Sequence, residues 1–189
     1  MTKLGKEAAF ETQKHILLVA KYLGTVIRQL LLRIESHDSL KLISPELEGF
    51  AEHTKNLENM TYGSDEYNKE LAKMDLIIRH HYAGSSHHPE NKGHIVCNKC
   101  SISYPIDYME CCEKCGGIKF TIIPDISKMS LIDLIECVAD WCASVKRHKD
   151  GDIWKSLEIN KKRFNIDNQL FGILSNTIAE LTSNLTGDK

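Results

Sequence analysis

The residues best suited to chemistry begin with the run at residues 36–42, which reads Ser-His-Asp-Ser-Leu-Lys-Leu. Here His37, Asp38 and Lys41 bring an imidazole, a carboxylate and an ammonium group within about one helical turn of one another. An imidazole and a carboxylate together suit a divalent metal ion, and an ammonium group suits a phosphate oxygen beside it. A His-Asp pair occurs often by chance, so the other histidines decide how much it means.

The other histidines are concentrated in one part of the chain. Five of the nine lie between residues 80 and 94, where they include the pairs His80-His81 and His87-His88. Any one of them, taken singly, is best explained as a surface or hydrogen-bonded histidine. Two pairs together with a His-Asp sequence favour a metal site.

A late helical segment, residues 131–145, supplies acids to go with these histidines. Its few polar positions, among them Glu136 and Asp140, fall three to four residues apart on one face. A buried carboxylate needs a cation or hydrogen-bond donors to remain ionised. The pattern therefore predicts a metal ligand at Asp140, and the alternative is the solvated face of an amphipathic helix.

Two Cys-x2-Cys pairs, Cys97 with Cys100 and Cys112 with Cys115, carry the sharper metal signal. Two intervening residues allow both thiolates of a pair to face one ion. Four thiolates suit a structural Zn²⁺ ion, and a short segment with almost no apolar core needs the metal to fold. A redox pair or an iron–sulfur site is the alternative, and Cys111 could replace Cys112 as a ligand.

Apolar periodicity predicts a mainly α fold. Three- and four-residue spacing indicates one long helix over residues 7–35. Further helical patterns cover residues 45–56, 65–81, 130–145, 153–164 and 167–181. Short β-type runs accompany the cysteines, so we expect a small β zinc-ribbon-like module at residues 94–123, inserted into a helical domain formed by residues 1–93 and 124–189.

Composition limits the function classes. A net charge of −2 over 189 residues argues against a general nucleic-acid binder. We find no apolar run of membrane-spanning length and no signal segment, so we expect a cytoplasmic protein without membrane association. Seven cysteines, an odd number, without an export signal favour reduced thiols.

The order His, His-Asp, further histidines and a late Asp resembles that of the HD-domain metal-dependent phosphohydrolases, which are all-α proteins. A closer resemblance links the chain to an uncharacterised family of small bacterial and phage proteins. It is carried by residues 37–46, 80–82, 87–90, 129–136, 140–141 and 156–164. These resemblances imply an HD-like helical bundle in a bacterial cytosol or a phage-infected host.

The HD resemblance also implies roles for individual residues. A first divalent ion (Mn²⁺, Fe²⁺, Zn²⁺ or Mg²⁺) would be bound by His15, His37, Asp38 and Asp140. A second ion would take its ligands from His80, His81, His87 and His88. The intervals between these histidines differ from those of the well-known two-metal enzymes, so the number of ions stays open. We expect Lys41 and Arg163 to neutralise charge on a phosphoryl group and Glu90 to orient a ligand histidine.

The expected function is metal-dependent hydrolysis of a small phosphorylated substrate, with a nucleotide favoured over a polynucleotide. The alternative is a non-catalytic metal- or nucleotide-binding protein whose zinc module docks to a partner. A nucleic-acid-reading role for the module is disfavoured by its few basic residues. The sequence is compatible with an oligomer.

Overall fold

A computed structural model of the chain describes residues 2–58, 60–61, 64–106, 110–147 and 150–184. The chain divides into two compact units, Met1–His37 and Asp38–Lys189. The division falls after His37.

The first unit is one helix, α1, which spans Lys3–Ser36. The side chain of Thr2 caps it by accepting a hydrogen bond from the backbone N–H of Gly5 at 3.2 Å. The helix predicted over residues 7–35 is therefore confirmed. None of its side chains is buried, although many of them are large and apolar.

Length and composition allow one helical segment among the described residues, Lys3–Leu42, to cross a membrane. Signal sequences and the core helices of soluble proteins meet the same criterion, so the finding is weak evidence for a membrane. The expectation that no apolar segment reaches membrane-spanning length has to be corrected for this helix.

Seven α-helices are described in the second unit. They are α2 (Glu46–Ala51), α3 (Thr54–Glu58), α4 (Asp65–Lys73), α5 (Asp75–Gly84), α6 (Leu131–Ser144), α7 (Ile153–Arg163) and α8 (Asn168–Asn184). The start of α6 is a capping box, in which the Ser130 hydroxyl and the Asp133 carboxylate each accept from the other's backbone N–H. The segment predicted as one helix over residues 65–81 is two helices, since α4 ends and α5 begins around Met74.

Three short strands form an antiparallel sheet in the order β2-β1-β3. They are β1 (His94–Cys97), β2 (Ser103–Pro105) and β3 (Phe120–Ile123). Ile95 pairs with Tyr104 on one side and Ile122 on the other, and its side chain is fully buried. The chain is thus mainly helical with one small sheet beside the cysteines.

The larger apolar core lies among α6, α7 and α8. The rings of Trp141 and Phe164 stack in parallel with their centroids 6.0 Å apart. Leu157 and Ile178 are completely enclosed beside them. Cys137 belongs to this core, and burial raises the pKa of its thiol well above the usual value, which fits a packing role.

A buried arginine connects the helices of the second unit to the sheet. The guanidinium group of Arg79, on α5, lies 4.8 Å from the ring centroid of Phe120 on β3. Its Nε donates a hydrogen bond to Asp75 at 3.1 Å. The cation–π contact ties the cysteine-bearing sheet to the helix that carries His81.

Candidate metal centre

Four side chains of the second unit, those of Asp38, His81, His87 and His88, place ligand atoms within 4.8 Å of one another. Asp38 stands just before a short 3₁₀ turn and has a φ of 54°, a left-handed conformation that aspartate tolerates better than most residues. His81 lies in the last turn of α5, and the other two histidines follow in the next loop. Residues 50 positions apart at the extremes, 38 and 88, are thus brought to one point.

The three imidazoles present the same atom to this point. The Nε2 atom of His81 lies 3.0 Å from Nε2 of His88 and 3.3 Å from Oδ1 of Asp38. The Nε2 atom of His87 lies 3.9 Å from the same Oδ1. Three ring nitrogens and one carboxylate oxygen form a donor set that suits a first-row divalent metal.

Two carboxylates lie behind the imidazoles. The Nδ1 atom of His81 is 2.9 Å from Oε2 of Glu46, and that of His87 is 3.2 Å from Oε1 of Glu136. When Nδ1–H donates to a carboxylate, Nε2 of the neutral ring keeps its lone pair and faces the other way. Carboxylate–histidine pairs of this kind orient the ligands of metal sites.

Electrostatics favour the metal-binding protonation states of two of these groups, Asp38 and His88. Burial by itself would raise the pKa of Asp38, but the hydrogen bond with His81 and the ammonium group of Lys41 outweigh it and hold that pKa well below its ordinary value. Burial, and then the neighbouring His87, lower the pKa of His88 well below its usual range. An ionised carboxylate and a neutral imidazole are the ligand forms.

Lys41 approaches the centre from the other side of Asp38. Its Nζ donates to Oδ2 of Asp38 at 2.6 Å, whereas Oδ1 faces the histidines. The lysine side chain is 29% exposed and also lies over the ring of Phe50 at 5.3 Å. A positive charge is therefore held beside the donor set and remains accessible to solvent.

Asp140 and His80 take different positions around the centre. Asp140, one turn after Glu136 on α6, brings a carboxylate oxygen within 4.8 Å of one from Asp38. The Nδ1 atom of His80 lies 2.8 Å from Oε1 of Glu46. His80 therefore stands behind this carboxylate and outside the group of four.

The metal-binding roles of the two histidines of the first unit, His15 and His37, stay predictions. His15 is exposed on α1. His37 is the C-terminal cap of the same helix, and its backbone N–H donates to the carbonyl of Arg33 at 2.8 Å.

Glu90 and Arg163 contact each other. The Nη2 atom of Arg163 donates to Oε1 of Glu90, and it also donates to the hydroxyl of Tyr82 at 3.1 Å. Burial raises the pKa of Glu90, although the Arg163 charge opposes this. Glu46 and Glu136, rather than Glu90, lie against the Nδ1 atoms of His81 and His87.

A cavity of about 780 Å³ adjoins the centre. Lys41, His81 and His88 line one part of it, and Arg163 and Asp140 line others. Most of the remaining wall is apolar, with contributions from Leu47, Phe50, Leu71, Ile78, Trp141 and Phe164. Its volume lies in the range of small-molecule sites, about 300–1,000 Å³.

The four predicted cysteines form a separate cluster in the sheet module. The sulfur atoms of Cys97, Cys100, Cys112 and Cys115 all lie within 4.8 Å of one another, so the predicted grouping is confirmed. Sγ of Cys97 is 3.6 Å from that of Cys115, and Sγ of Cys100 is 3.5 Å from that of Cys112. These separations exceed a disulfide bond and match the spacing of ligands around one ion.

Neighbouring groups of the module donate hydrogen bonds to the cysteine sulfurs and leave space for them. Backbone N–H groups of Lys99 and Cys100 donate to Cys97. The Tyr104 hydroxyl contacts Cys112 at 3.2 Å and lowers the pKa of that thiol to about 6. A Cβ atom at Gly117 would lie 3.1 Å from Sγ of Cys97, so glycine leaves room for the sulfur.

The sequence model of DUF5662, a family of unknown function, matches residues 5–183. The chain belongs to this family. No curated protein and no solved structure matches the chain. The DUF5662 match includes both the histidine centre and the cysteine cluster, and it confirms the expectation of an uncharacterised family.

Two residues of this DUF5662 chain were assigned no role at the centre from the sequence. Glu136 was visible only as one of several acids on the face that also carries Asp140. Nothing in the sequence distinguishes Glu46 from an ordinary acid in the first turn of a helix. Its side chain is fully buried because α2 packs against α5, which places the carboxylate under His80 and His81.

Proposed function

We propose that Asp38, His81, His87 and His88 bind a divalent metal ion and that the chain hydrolyses a phosphate ester in a small substrate, with nucleotides the favoured class. The observation that carries the proposal is the convergence of three Nε2 atoms on Oδ1 of Asp38, with carboxylates behind two of the rings. A histidine cluster with only a packing role would not require this orientation.

The donor set favours Mn²⁺, Fe²⁺ or Zn²⁺ over Mg²⁺, since imidazole suits the former ions and Mg²⁺ prefers oxygen ligands. Such an ion would lower the pKa of a bound water and polarise a phosphoryl oxygen, as phosphate ester hydrolysis requires near neutral pH. Asp140 is the candidate for a further ligand, because its carboxylate approaches that of Asp38. His15 and His37 remain candidates by resemblance to the HD-domain phosphohydrolases.

Two positively charged side chains on the cavity wall, Lys41 and Arg163, would contact the phosphate group of the substrate. Lys41 is held by Asp38 beside the donor set, where its ammonium group can contact a phosphoryl oxygen and stabilise the charge that develops on it. Arg163 is held by Glu90 and Tyr82 at another part of the wall. Its guanidinium group would contact a second phosphate oxygen or the polar end of the substrate.

The cavity supports a small organic phosphate as the substrate. Its apolar wall, which includes Trp141, can hold the non-phosphate part of a molecule of nucleotide size. A net charge of −2 gives no broad basic surface for a polynucleotide.

The cysteine cluster has a structural role in this proposal. Four closed thiolate ligands suit Zn²⁺ and leave no open position for a substrate. The module's own core is small, with Ile95 and Phe120 as the buried non-cysteine residues of its core cluster in the part of the module that the structure describes. Zinc would therefore supply much of the free energy that folds it.

Metal analysis combined with a substrate panel tests both assignments. We expect the wild type to contain Mn, Fe or Zn in addition to one thiolate-bound zinc. His81→Ala should lose the additional metal and keep the zinc, and Cys97→Ser should do the reverse. The metal-loaded wild type should hydrolyse 4-nitrophenyl phosphate or a nucleotide, and His81→Ala should not.

Two results would contradict the proposal in different ways. A wild type that binds no metal beyond the thiolate-bound zinc, even after incubation with Mn²⁺, Fe²⁺ or Zn²⁺, would exclude the histidine centre. A fully loaded wild type that turns over no phosphate ester or nucleotide would leave the alternative, a non-catalytic metal- or nucleotide-binding protein.

A further inference from the structure

Two members of the histidine centre, His87 and His88, are consecutive residues of one loop, which we call the histidine loop (residues 85–92). Their ring centroids lie 4.1 Å apart, and both place a ring nitrogen within 4.8 Å of a carboxylate oxygen of Asp38. Consecutive side chains point to opposite faces of a strand and about 100° apart on a helix. A regular element would therefore send the two rings in different directions, so the loop depends on other contacts to keep both at one point.

The start of the histidine loop is bound to α6. The Ser86 hydroxyl donates to Oδ1 of Asp133 at 3.0 Å, and Asp133 is 5% exposed. One turn further along the same helix, Oε1 of Glu136 lies 3.2 Å from Nδ1 of His87. Two consecutive residues of the loop thus contact two acids of one helix, which constrains both the backbone before His87 and the direction of its ring.

Asp133 is itself held in place. Its Oδ2 accepts hydrogen bonds from the hydroxyl and the backbone N–H of Ser130, at 2.9 and 3.2 Å, and lies 3.7 Å from Nζ of Lys92. Burial would raise the pKa of Asp133, but the hydrogen bonds from Ser130 and Ser86 outweigh it and lower that pKa. The carboxylate is therefore ionised at neutral pH, and hydrogen bonds to an ionised acceptor are stronger than those between neutral groups.

The end of the histidine loop is bound to α5. Asn91, in the short 3₁₀ turn Pro89–Lys92, donates from Nδ2 to the carbonyls of Tyr82 and Ala83, both at 2.9 Å. These carbonyls belong to the last turn of α5, where a helix has no backbone partners of its own to offer them. His81 lies in the same turn, so Asn91 ties the loop to the turn that carries the third histidine.

We propose that Asp133, acting through Ser86, and Asn91 are positioning residues, which hold the histidine loop so that its two histidines face the same ion as His81. This inference rests on the metal centre of the proposed function. Both residues lie outside the group of four that would bind the ion. A metal site needs its ligands held to within about 0.5 Å, so a loop released from either contact should bind the ion less tightly.

Two matched serines test the role of Asp133. Ser86→Ala and Ser130→Ala each remove one hydroxyl that donates to the same carboxylate, but only Ser86 belongs to the histidine loop. Calorimetric titration with Mn²⁺ should show about tenfold weaker binding to Ser86→Ala and to Asn91→Ala. Ser130→Ala loses a helix cap, so its melting temperature should fall while its Mn²⁺ affinity stays that of the wild type. Ser86→Thr, which keeps the hydroxyl, should restore the affinity.

A second measurement needs no metal. In the metal-free protein at mildly alkaline pH, ¹H–¹⁵N spectra of the histidine rings should show the Nδ1–H tautomer of His87 in the wild type and in Ser130→Ala. Ser86→Ala should show a mixture of tautomers, because the ring is no longer held against its carboxylate.

The outcomes separate this inference from the proposed function. Equal Mn²⁺ affinity in Ser86→Ala and the wild type, with equal tautomers, would overturn the positioning role. Equal losses in Ser86→Ala and Ser130→Ala would also overturn it, since they would show that only the stability of α6 matters. A wild type that binds no Mn²⁺ would exclude the metal centre, and the tautomers alone would then decide whether Asp133 holds the loop.

Discussion

The Nδ1 atom of His81 lies 2.9 Å from Oε2 of Glu46, a carboxylate that is completely buried. This contact sets the tautomer of the imidazole and directs its Nε2 towards Asp38, 3.3 Å away. The orientation of the His81 imidazole thus depends on an acid outside the group formed by Asp38, His81, His87 and His88. The dependence can be tested by substitution.

Glu46→Gln should weaken metal binding at the histidine centre by about 10- to 100-fold, because an amide orients the imidazole and raises its basicity less well than a carboxylate. The thiolate-bound zinc should be unaffected. Competition with a metal chelator, followed by elemental analysis, measures both. Glu48→Gln, at an exposed position on the same helix, is the matched control. Equal affinity in the two variants would exclude an orienting role for Glu46.

Lys41→Met should lower kcat by roughly 10²-fold while the metal content remains near that of the wild type, since the substitution removes the charge beside the phosphoryl group and keeps the alkyl chain. Steady-state kinetics on the best substrate of the panel checks this. Lys69→Met, at an exposed position on α4, should change neither kcat nor KM. If KM rises and kcat is unchanged, Lys41 only binds the substrate.

Cys97→Ser should release about one zinc ion per chain and unfold the sheet module, because three thiolates bind Zn²⁺ much less tightly than four. Zinc release can be followed with a chromogenic chelator, and the melting temperature should fall. Cys111→Ser provides the control, since Cys111 is exposed and lies outside the sulfur cluster among the described residues. Zinc release from the Cys111→Ser variant instead would assign that ligand position to Cys111.

The stability of the folded state should depend on pH through the ionisation of Glu70. Hydrogen bonds from Lys73, then His53 and Asn56, lower its pKa from 4.5 to about 2. Because the folded-state pKa is depressed, this stabilisation is complete above pH 4.5 and disappears as the pH falls towards about 2. The melting temperature of Glu70→Gln should therefore be below that of the wild type at neutral pH, and the difference should shrink on acidification.

The comparison for Glu70 is Glu66→Gln, an exposed acid on the same helix. Its melting temperature should follow that of the wild type at every pH. A constant difference between wild type and Glu70→Gln from pH 7 to the acid limit of folding would show that the ionised form of Glu70 contributes nothing.

Features that depend on neighbours in sequence were predictable. The period of apolar residues indicated α1, the helical pattern from residue 130 indicated α6, and the two Cys-x2-Cys pairs indicated the sulfur cluster. In each case the information lies within a few turns or one loop, where backbone geometry alone relates the side chains. The concentration of histidines near residues 80–94 favoured a metal site, which stays a prediction.

Only the tertiary structure decided which side chains meet. Adjacent residues on a helix point about 100° apart, and the packing of α2 on α5 places Glu46 against both His80 and His81 and directs Nε2 of His81 to Asp38. The same packing buries Glu46, and α6 brings Glu136 to His87. Residue types and spacing in the sequence thus predicted a metal site, but the convergence of the side chains depends on contacts between distant segments, which no local pattern encodes.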